Sequence, residues 1–356
     1  KWDCALLGSS YEGRAGSSCR LWCDPRNGSG ERFLQALSQF AEETGHAELN
    51  QVPWCLWGHS GGGFWASLMQ TMHPERIVAI WLQSGTAFGY WTQGEVKAPD
   101  LKSNIYHVPV MACPGAKERT HERFRRAWDG LHAMKTAYRL LDAPFGIAPD
   151  PNTGHECGDS RYLAIPFFDS CLRLRLSDDG AASTELRPID MSRSWFGSAS
   201  GEVFASDDYP GDKRIASWLP DELFASRWST FLRLGNLPDS SAPVAPHSLV
   251  ARTDGNSTVI AWKADADFES GLGGFRIERN GETIAQLPQK PMSRYGRPLF
   301  QVMNYSGTPA QPLAVMQFTD RNPLATKPRD YRVFSINSAG MESLPAVLKW
   351  KASSGK

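Results

Sequence analysis

The chain has 356 residues, enough for one large domain and a second, smaller one. Lys and Arg total 38, as do Asp and Glu, so the net charge is zero and predicts no nucleic-acid partner. No apolar run reaches the roughly 20 residues needed to span a bilayer, and no signal-peptide pattern opens the sequence. The seven cysteines and eight histidines lack zinc-site spacing, so we expect no metal and no organic cofactor, while one or two disulfides stay open.

Short apolar runs alternate with helix-like segments through the first half of the chain. Strands are predicted over residues 4–8, 20–23, 52–57, 77–82, 108–113 and 144–148. Helices are predicted over residues 31–44, 63–72, 119–141 and 160–176. Buried strands that alternate with helices are typical of a mostly parallel sheet with helices on both faces. Residues 1–176 are therefore predicted to form a domain of the α/β class.

Residues 177–242 are predicted to form a packed connector. The segment is rich in Ser, Asp, Gly and Pro, and it carries aromatic residues that include Trp195, Trp218 and Trp228. Aromatic side chains at these intervals need a surface to pack against, which favours an ordered segment over a flexible linker. The apolar spacing within residues 221–234 predicts one helix there.

From residue 243 the pattern becomes all-β. Short strands are predicted over residues 248–252, 258–263, 274–279, 282–286, 315–319 and 331–337. Asn280-Gly281, between two of these runs, is a two-residue hairpin signal. Residues 243–350 are therefore predicted to fold as one β-sandwich.

This β-rich segment resembles a fibronectin type III domain. The resemblance rests on Pro243 and Pro246 before the first strand, the lone Trp262, the hairpin 274–281 and the run 331–340. Domains of that family are usually spacers or surface-binding modules, so the resemblance implies no catalytic role for this part of the chain.

The sequence Gly58-His59-Ser60-Gly61-Gly62 lies directly between a predicted strand and a predicted helix. A Gly-x-Ser-x-Gly motif in that context is a nucleophile elbow, a turn so tight that small residues must flank the serine. Ser60 is therefore the predicted nucleophile. We expect His59 to pack beside the turn as a structural residue.

A serine nucleophile needs a base to take its proton and an acid to hold that base. Of the eight histidines, His155 is the one in a loop that follows the last predicted parallel strand, and it is the predicted base. Glu118 follows a glycine turn after the preceding strand and is the preferred acid. Glu122, Asp129 and Asp142 remain alternatives.

Two donors are needed for the oxyanion that forms during acyl transfer. Elbow geometry assigns one of them to the backbone amide of Gly61. The second is expected in the loop after the first predicted strand, at Tyr11 or at Ser10. The aromatic residues expected to line the substrate cleft are Phe64, Trp65, Phe88, Tyr90 and Trp91.

The first predicted domain resembles the α/β-hydrolase fold, in particular its polyhydroxyalkanoate depolymerase-like and feruloyl-esterase-like esterases. The resemblance rests on the elbow 58–62, the turn 115–118 and the loop 154–155. Their order, with the nucleophile first, then the acid, then the histidine, agrees with the family, although many members carry Asp as the acid. The antiparallel strands with which that fold usually begins are missing, so either residues precede Lys1 or the sheet is shortened.

The resulting hypothesis is a serine esterase that hydrolyses carboxylic esters through an acyl-enzyme with a Ser-His-Glu triad. Accessory domains of the fibronectin type often accompany enzymes that act outside the cell on polymers. We therefore expect a secreted or periplasmic protein, with a polyester or an esterified polysaccharide among its substrates. A serine peptidase or amidase would use the same triad, and a non-catalytic binding protein on a hydrolase scaffold is the third hypothesis.

Overall fold

The computed structural model of the protein describes residues 4–8, 20–177, 185–265, 267, 269–288, 316–321, 328–337 and 339–351. The chain divides into two compact units, Lys1–Asn236 and Leu237–Lys356. The boundary lies inside the segment predicted as a connector. Most of that segment therefore belongs to the first unit, where it packs as an integral part.

A four-stranded parallel sheet forms the centre of the first unit, with its strands in chain order. The strands are β1 Trp54–His59, β2 Ile77–Gln83, β3 Val110–Cys113 and β4 Phe145–Ile147. All seven residues of β2 are buried, as expected for an inner strand covered on both faces. The predicted parallel sheet with accompanying helices is thus confirmed.

Helices surround this sheet in the described part of the first unit. They are α1 Arg20–Cys23, α2 Ser29–Thr44, α3 Gly61–Met72, α4 Phe88–Thr92, α5 Arg125–Arg139, α6 Arg161–Arg175 and α7 Glu222–Leu234. The core between sheet and helices includes Phe33 of α2, Met69 of α3, Ile80 of β2 and Leu131 of α5. Burial of one face of each helix holds the strands, and with them the loops that follow the strands, in fixed positions.

Two predicted elements are wrong, and a third begins later than predicted. Residues 20–23 form α1 rather than a strand, because a run of four residues is too short to show a measurable periodicity. Residues 4–8 form no strand, since all five are exposed and no strand in the described sheets pairs with them. The helix predicted from residue 119 begins only at Arg125, because Ala116–Thr120 forms a 3₁₀ turn after β3.

A small antiparallel sheet, which the sequence did not indicate, packs beside β4. Its strands are β5 Trp195–Gly197, β6 Val203–Ala205 and β7 Ser217–Leu219. Ser217 Oγ accepts a hydrogen bond from the amide of Ile147 at 3.2 Å, and Trp228 Nε1 of α7 donates to the carbonyl of Ile147 at 2.9 Å. These bonds anchor the strand from which the loop carrying His155 departs.

The second unit contains two antiparallel sheets. The strands are β8 His247–Asp254, β9 Ser257–Lys263, β10 Leu272–Arg279, β11 Glu282–Leu287, β12 Gln317–Asp320, β13 Arg329–Asn337 and β14 Ala346–Trp350. One sheet has the order β11-β10-β13-β14 and the other β12-β9-β8. Trp262 of β9 packs in one cluster with Phe275 of β10 and Tyr331 of β13, so residues of both sheets share a core.

The hairpin between β10 and β11 forms where the sequence predicts it. Arg279 pairs with Glu282, and the two residues between them have φ values of 53° at Asn280 and 87° at Gly281. Positive φ at both positions is the requirement of a type I′ turn, which Asn-Gly satisfies with little strain.

Candidate active site

Ser60 occupies the turn between β1 and α3. Its backbone has φ 54° and ψ −112°, a conformation rare for a residue with a Cβ and costing on the order of 1–3 kcal/mol. The amide of Ser60 donates to Gln83 O at 2.9 Å, and the amide of Phe64 donates to Ser60 O at 3.0 Å. Strand β2 on one side and helix α3 on the other therefore hold the strained serine in place, as in a nucleophile elbow.

Close backbone contacts explain why glycines flank Ser60 in the elbow. A Cβ added at Gly58 would lie 2.1 Å from Gly62 O, and one added at Gly63 would lie 2.3 Å from Gly85 O. Such separations are far below van der Waals contact. The requirement for small residues, inferred from the motif, is thus a consequence of the close approach of backbone to backbone at this turn.

His155 lies between Ser60 and Glu118. Its Nε2 is 2.9 Å from Ser60 Oγ, and its Nδ1 is 2.5 Å from Glu118 Oε1. The side chain of Glu118 is fully buried, whereas that of His155 is 14% exposed. The Glu118 carboxylate accepts a hydrogen bond from Nδ1–H and so keeps the proton of the neutral imidazole on Nδ1. The lone pair of Nε2 is then directed at the Ser60 hydroxyl. The structure thus joins the three residues selected from the sequence in one hydrogen-bonded chain.

The turn that carries Glu118 is in direct backbone contact with the loop that carries the histidine. The amide of Ala116 donates to Asp150 O at 2.8 Å. A Cβ added at Gly115 would lie only 1.9 Å from Gly154 O. The acid and the base therefore come from two segments that pack with no space between them. Of the alternative acids, Asp129 instead pairs with Arg125 on the exposed side of α5.

Two further rings contact the imidazole of His155. Phe124 stacks on it with a centroid distance of 3.9 Å and an interplanar angle of 5°. His59 lies at 5.1 Å and 46°, and its Nε2–H donates to the backbone carbonyl of His155 at 3.1 Å. Burial, reinforced by the nearby His155, lowers the pKa of His59 to about 4, so its ring is neutral at pH 7. The contact of Phe124 had no counterpart among the sequence predictions.

Two of the five aromatic residues expected in the cleft are buried in the core, which corrects the expectation for those two, and the other three are half-buried. Phe64 and Trp91 are only 4% and 6% exposed and belong to one buried cluster. Trp65 donates its indole N–H to Ser29 Oγ at 3.1 Å, and Phe88 packs edge-on against Trp91 at 5.4 Å. Phe64 packs with residues of α1 and α4, and Trp65 packs against α2, because the core needs the apolar surface of the first turns of α3.

Trp22 of α1 is a neighbour of the elbow that sequence reasoning missed. A Cβ added at Gly61 would lie 2.8 Å from Cη2 of its half-buried indole. The amide of Gly61 is the first of α3, and the first amides of a helix have no partner within it. This amide is therefore suited to an oxyanion. Ser10 and Tyr11, expected to supply the second donor, lie outside the described residues.

Metal and membrane sites were also predicted from the sequence to be absent. Within the ranges that the structure describes, no group of three or more His, Cys, Asp or Glu side chains is arranged to hold a metal ion. None of the helices described above is both long and apolar enough to cross a bilayer.

No protein-family model matches the sequence, and no curated protein matches it. An Fn3-like protein from Clostridium thermocellum is 19% identical over 33% of this chain and 99% of that chain, with a TM-score of 0.21. The central fibronectin-III array of RIM-binding protein is 14% identical over 32% and 37% of the two chains, with a TM-score of 0.21. A family 28 exopolygalacturonase from Yersinia enterocolitica is 18% identical over 31% and 20%, with a TM-score of 0.20.

These similarities are weak and carry no argument about activity. They are consistent with a fibronectin type III-like C-terminal part, in agreement with the two antiparallel sheets of the second unit. They add no support to the resemblance of the first unit to α/β-hydrolases. What the first unit does must therefore be inferred from its own geometry.

Proposed function

We propose that the protein is a serine esterase whose first unit has the α/β-hydrolase fold and hydrolyses carboxylic esters through an acyl-enzyme. The observation that carries the proposal is the hydrogen-bonded chain from Ser60 through His155 to Glu118, with the serine on a strained turn. The three residues follow β1, β3 and β4 in the order nucleophile, acid, histidine, which is the order of that fold.

In the acylation step Ser60 Oγ attacks the carbonyl carbon of the ester, and His155 Nε2 accepts the hydroxyl proton. General-base assistance of this kind contributes about 10²–10⁴ in rate. The negative charge that develops on the carbonyl oxygen faces the amide of Gly61, and one such donor is worth about 3–4 kcal/mol. When the tetrahedral intermediate collapses, the C–O bond to the alcohol breaks and the imidazolium donates its proton to the leaving oxygen.

In the deacylation step a water molecule takes the place of the alcohol. His155 accepts its proton, the hydroxide attacks the acyl carbon, and the bond to Ser60 Oγ breaks as that oxygen regains a proton. Glu118 accepts the hydrogen bond from Nδ1–H throughout and stabilises the imidazolium formed in each half-reaction. The carboxylic acid leaves, and the free enzyme is restored.

The proposal extends to polymeric esters and to a secreted or periplasmic location. Its support is the combination of a catalytic unit with a separate β-sandwich of the kind found as a spacer or surface-binding module. A panel of soluble short-chain esters, feruloyl esters and suspended polyester particles tests the substrate class. Release of soluble acid from the particles is expected, and hydrolysis confined to the soluble esters would contradict this extension.

The experiment that tests the esterase activity compares hydrolysis of nitrophenyl acetate and butyrate by the wild type and by Ser60→Ala. We expect Ser60→Ala to lose at least about 10³-fold in kcat/KM. Ser38→Ala, which removes an exposed hydroxyl on α2, is the matched control and keeps the wild-type rate. Equal hydrolysis by the wild type and Ser60→Ala contradicts the proposal, and faster cleavage of the nitroanilide analogues favours an amidase.

A further inference from the structure

The imidazole of His155 makes one ring contact that ester hydrolysis itself does not require. Phe124 immediately precedes α5, and its ring lies parallel to the imidazole, 3.9 Å away between centroids and 5° from coplanar. The phenyl ring is half-buried and the histidine side chain is 14% exposed, so solvent screens the contact only in part.

Two neutral aromatic rings usually lie further apart than this. Their quadrupoles repel in a face-to-face sandwich, so such pairs prefer edge-to-face or offset arrangements with centroids about 4.5–7 Å apart. Other pairs in this chain follow the preference, as Phe33 and Trp54 do at 5.1 Å and 80°, and Trp262 and Phe275 at 5.2 Å and 70°. A close parallel stack is favourable when one ring is a cation, because the face of a phenyl ring attracts positive charge.

We propose that Phe124 is a positioning residue of the triad: it fixes the plane of the His155 imidazole with Nε2 directed at Ser60, and its ring face favours the imidazolium over the neutral ring. The inference rests on the proposed function, because the imidazolium is the species formed when the serine proton is transferred. An interaction that strengthens as charge develops lowers the barrier, whereas one present equally before and after does not.

Several other ionisable groups surround the pair and bear on its charge. They are Glu118, His59, Glu156, Lys117, His121 and Arg123. Glu118 favours the imidazolium from the Nδ1 side, and the contribution of Phe124 adds to this. His59 is neutral at pH 7, since burial lowers its pKa to about 4. Arg123 and His121 contact Phe124 from the exposed surface, where salt screens their charges.

The test is the pH profile of kcat/KM for nitrophenyl butyrate in the wild type, Phe124→Leu and Phe124→Tyr. In Phe124→Leu the imidazolium is less stable, so His155 takes up its proton at lower pH and the midpoint of the acidic limb falls by about half a pH unit or more. On the plateau, kcat falls about 3- to 30-fold with KM little changed. Phe124→Tyr keeps an aromatic ring face against the imidazole. Its kcat and the proton affinity that sets its acidic limb are therefore both expected within about twofold of the wild type.

The matched control is Trp128→Leu, the same aromatic-to-aliphatic change one turn further along α5. Its ring lies against His132 at 4.3 Å rather than against the triad, so its kcat/KM profile is expected to match the wild type. An unmoved acidic limb in Phe124→Leu overturns the proposal even if the rate falls, because lost packing alone lowers the rate without moving the limb. If Phe124→Leu does not fold, Phe124→Met takes its place under the same criteria.

An NMR titration of the His155 ring in the wild type and Phe124→Leu separates this inference from the proposed function. It reports protonation of the imidazole whether or not the protein hydrolyses esters. A midpoint that moves to lower pH in an inactive protein supports the stabilisation of the imidazolium by Phe124 and rejects the esterase. An unmoved midpoint in a wild type that hydrolyses esters through Ser60 overturns the role of Phe124 alone.

Discussion

Replacing Glu118 with Gln is expected to separate activity from stability. Glu118 Oε1 lies 2.5 Å from His155 Nδ1, and the carboxylate is fully buried. A carboxylate and an imidazolium whose charge centres are about 4 Å apart attract by about 4 kcal/mol at an effective dielectric constant of about 20. Loss of that attraction when the imidazolium forms corresponds to about a 10³-fold fall in kcat/KM. The amide N–H can also face Nδ1 and favour the wrong tautomer, which adds to the loss.

The same substitution is not expected to destabilise the fold. Glu118 Oε2 is buried, and it has no hydrogen-bond partner among the residues that the structure describes. A buried carboxylate oxygen without a donor is costly, by about 1–3 kcal/mol or more, and a neutral amide of the same shape carries a smaller penalty. The free energy of unfolding of Glu118→Gln is therefore expected to equal or exceed that of the wild type.

Two measurements on one preparation check this prediction. Steady-state hydrolysis of nitrophenyl butyrate at about pH 8 gives kcat/KM, and urea unfolding at the same pH gives the free energy of unfolding. Activity within about tenfold of the wild type refutes the assignment of Glu118 as the acid. Lost activity together with a lower unfolding free energy refutes the argument from the unpaired oxygen.

Two further predictions concern the neighbours of the triad. Gly115→Ala places a Cβ 1.9 Å from Gly154 O, so the loops that carry Glu118 and His155 must move apart. A shift of about 1 Å is expected to lower kcat/KM about 100-fold. The control Gly89→Ala, whose new Cβ makes an ordinary 3.6 Å contact, is expected to leave kcat/KM unchanged. Burial lowers the pKa of His59 from 6.5 to about 4, so between these values the unfolded chain binds a proton that the folded protein does not. Stability is therefore lost as pH falls, by about 2 kcal/mol at pH 5, and His59→Gln removes that loss. Urea unfolding of the wild type and His59→Gln at about pH 7 and about pH 5 measures this loss of stability. The same pH dependence in both proteins would contradict the assignment of the loss to His59.

The elbow could be predicted because its requirements are local. A buried strand, a turn of small residues around Ser60 and a following helix all lie within about twenty residues, and the strained φ of 54° follows from that turn. The grouping of His155 with Glu118 followed from chain order, because parallel strands place the loops at their carboxyl ends on one edge of the sheet. Both predictions, the elbow and the grouping of His155 with Glu118, required only the approximate positions of the strands.

Contacts between distant segments had no such signal. Phe124 stacks on His155, which lies 31 positions further along the chain. The sequence predicts a helix over residues 119–141 that includes Phe124, whereas the helix begins only at Arg125. Trp22 reaches the elbow from α1, a helix of four residues that depends on packing rather than on its own periodicity. For Phe64, by contrast, a usable signal was present: Leu68 lies one turn further along α3, and both face the core.

The most direct test of the central claim is labelling with a fluorophosphonate followed by peptide mapping. The reagent phosphonylates only a serine whose hydroxyl is activated by a neighbouring base, so Ser60 is expected to carry the label in the wild type. His155→Ala is expected to lose the label although its serine is still present, because no base then accepts the proton. Label on another serine, or equal labelling of Ser60 in the wild type and His155→Ala, would contradict the account.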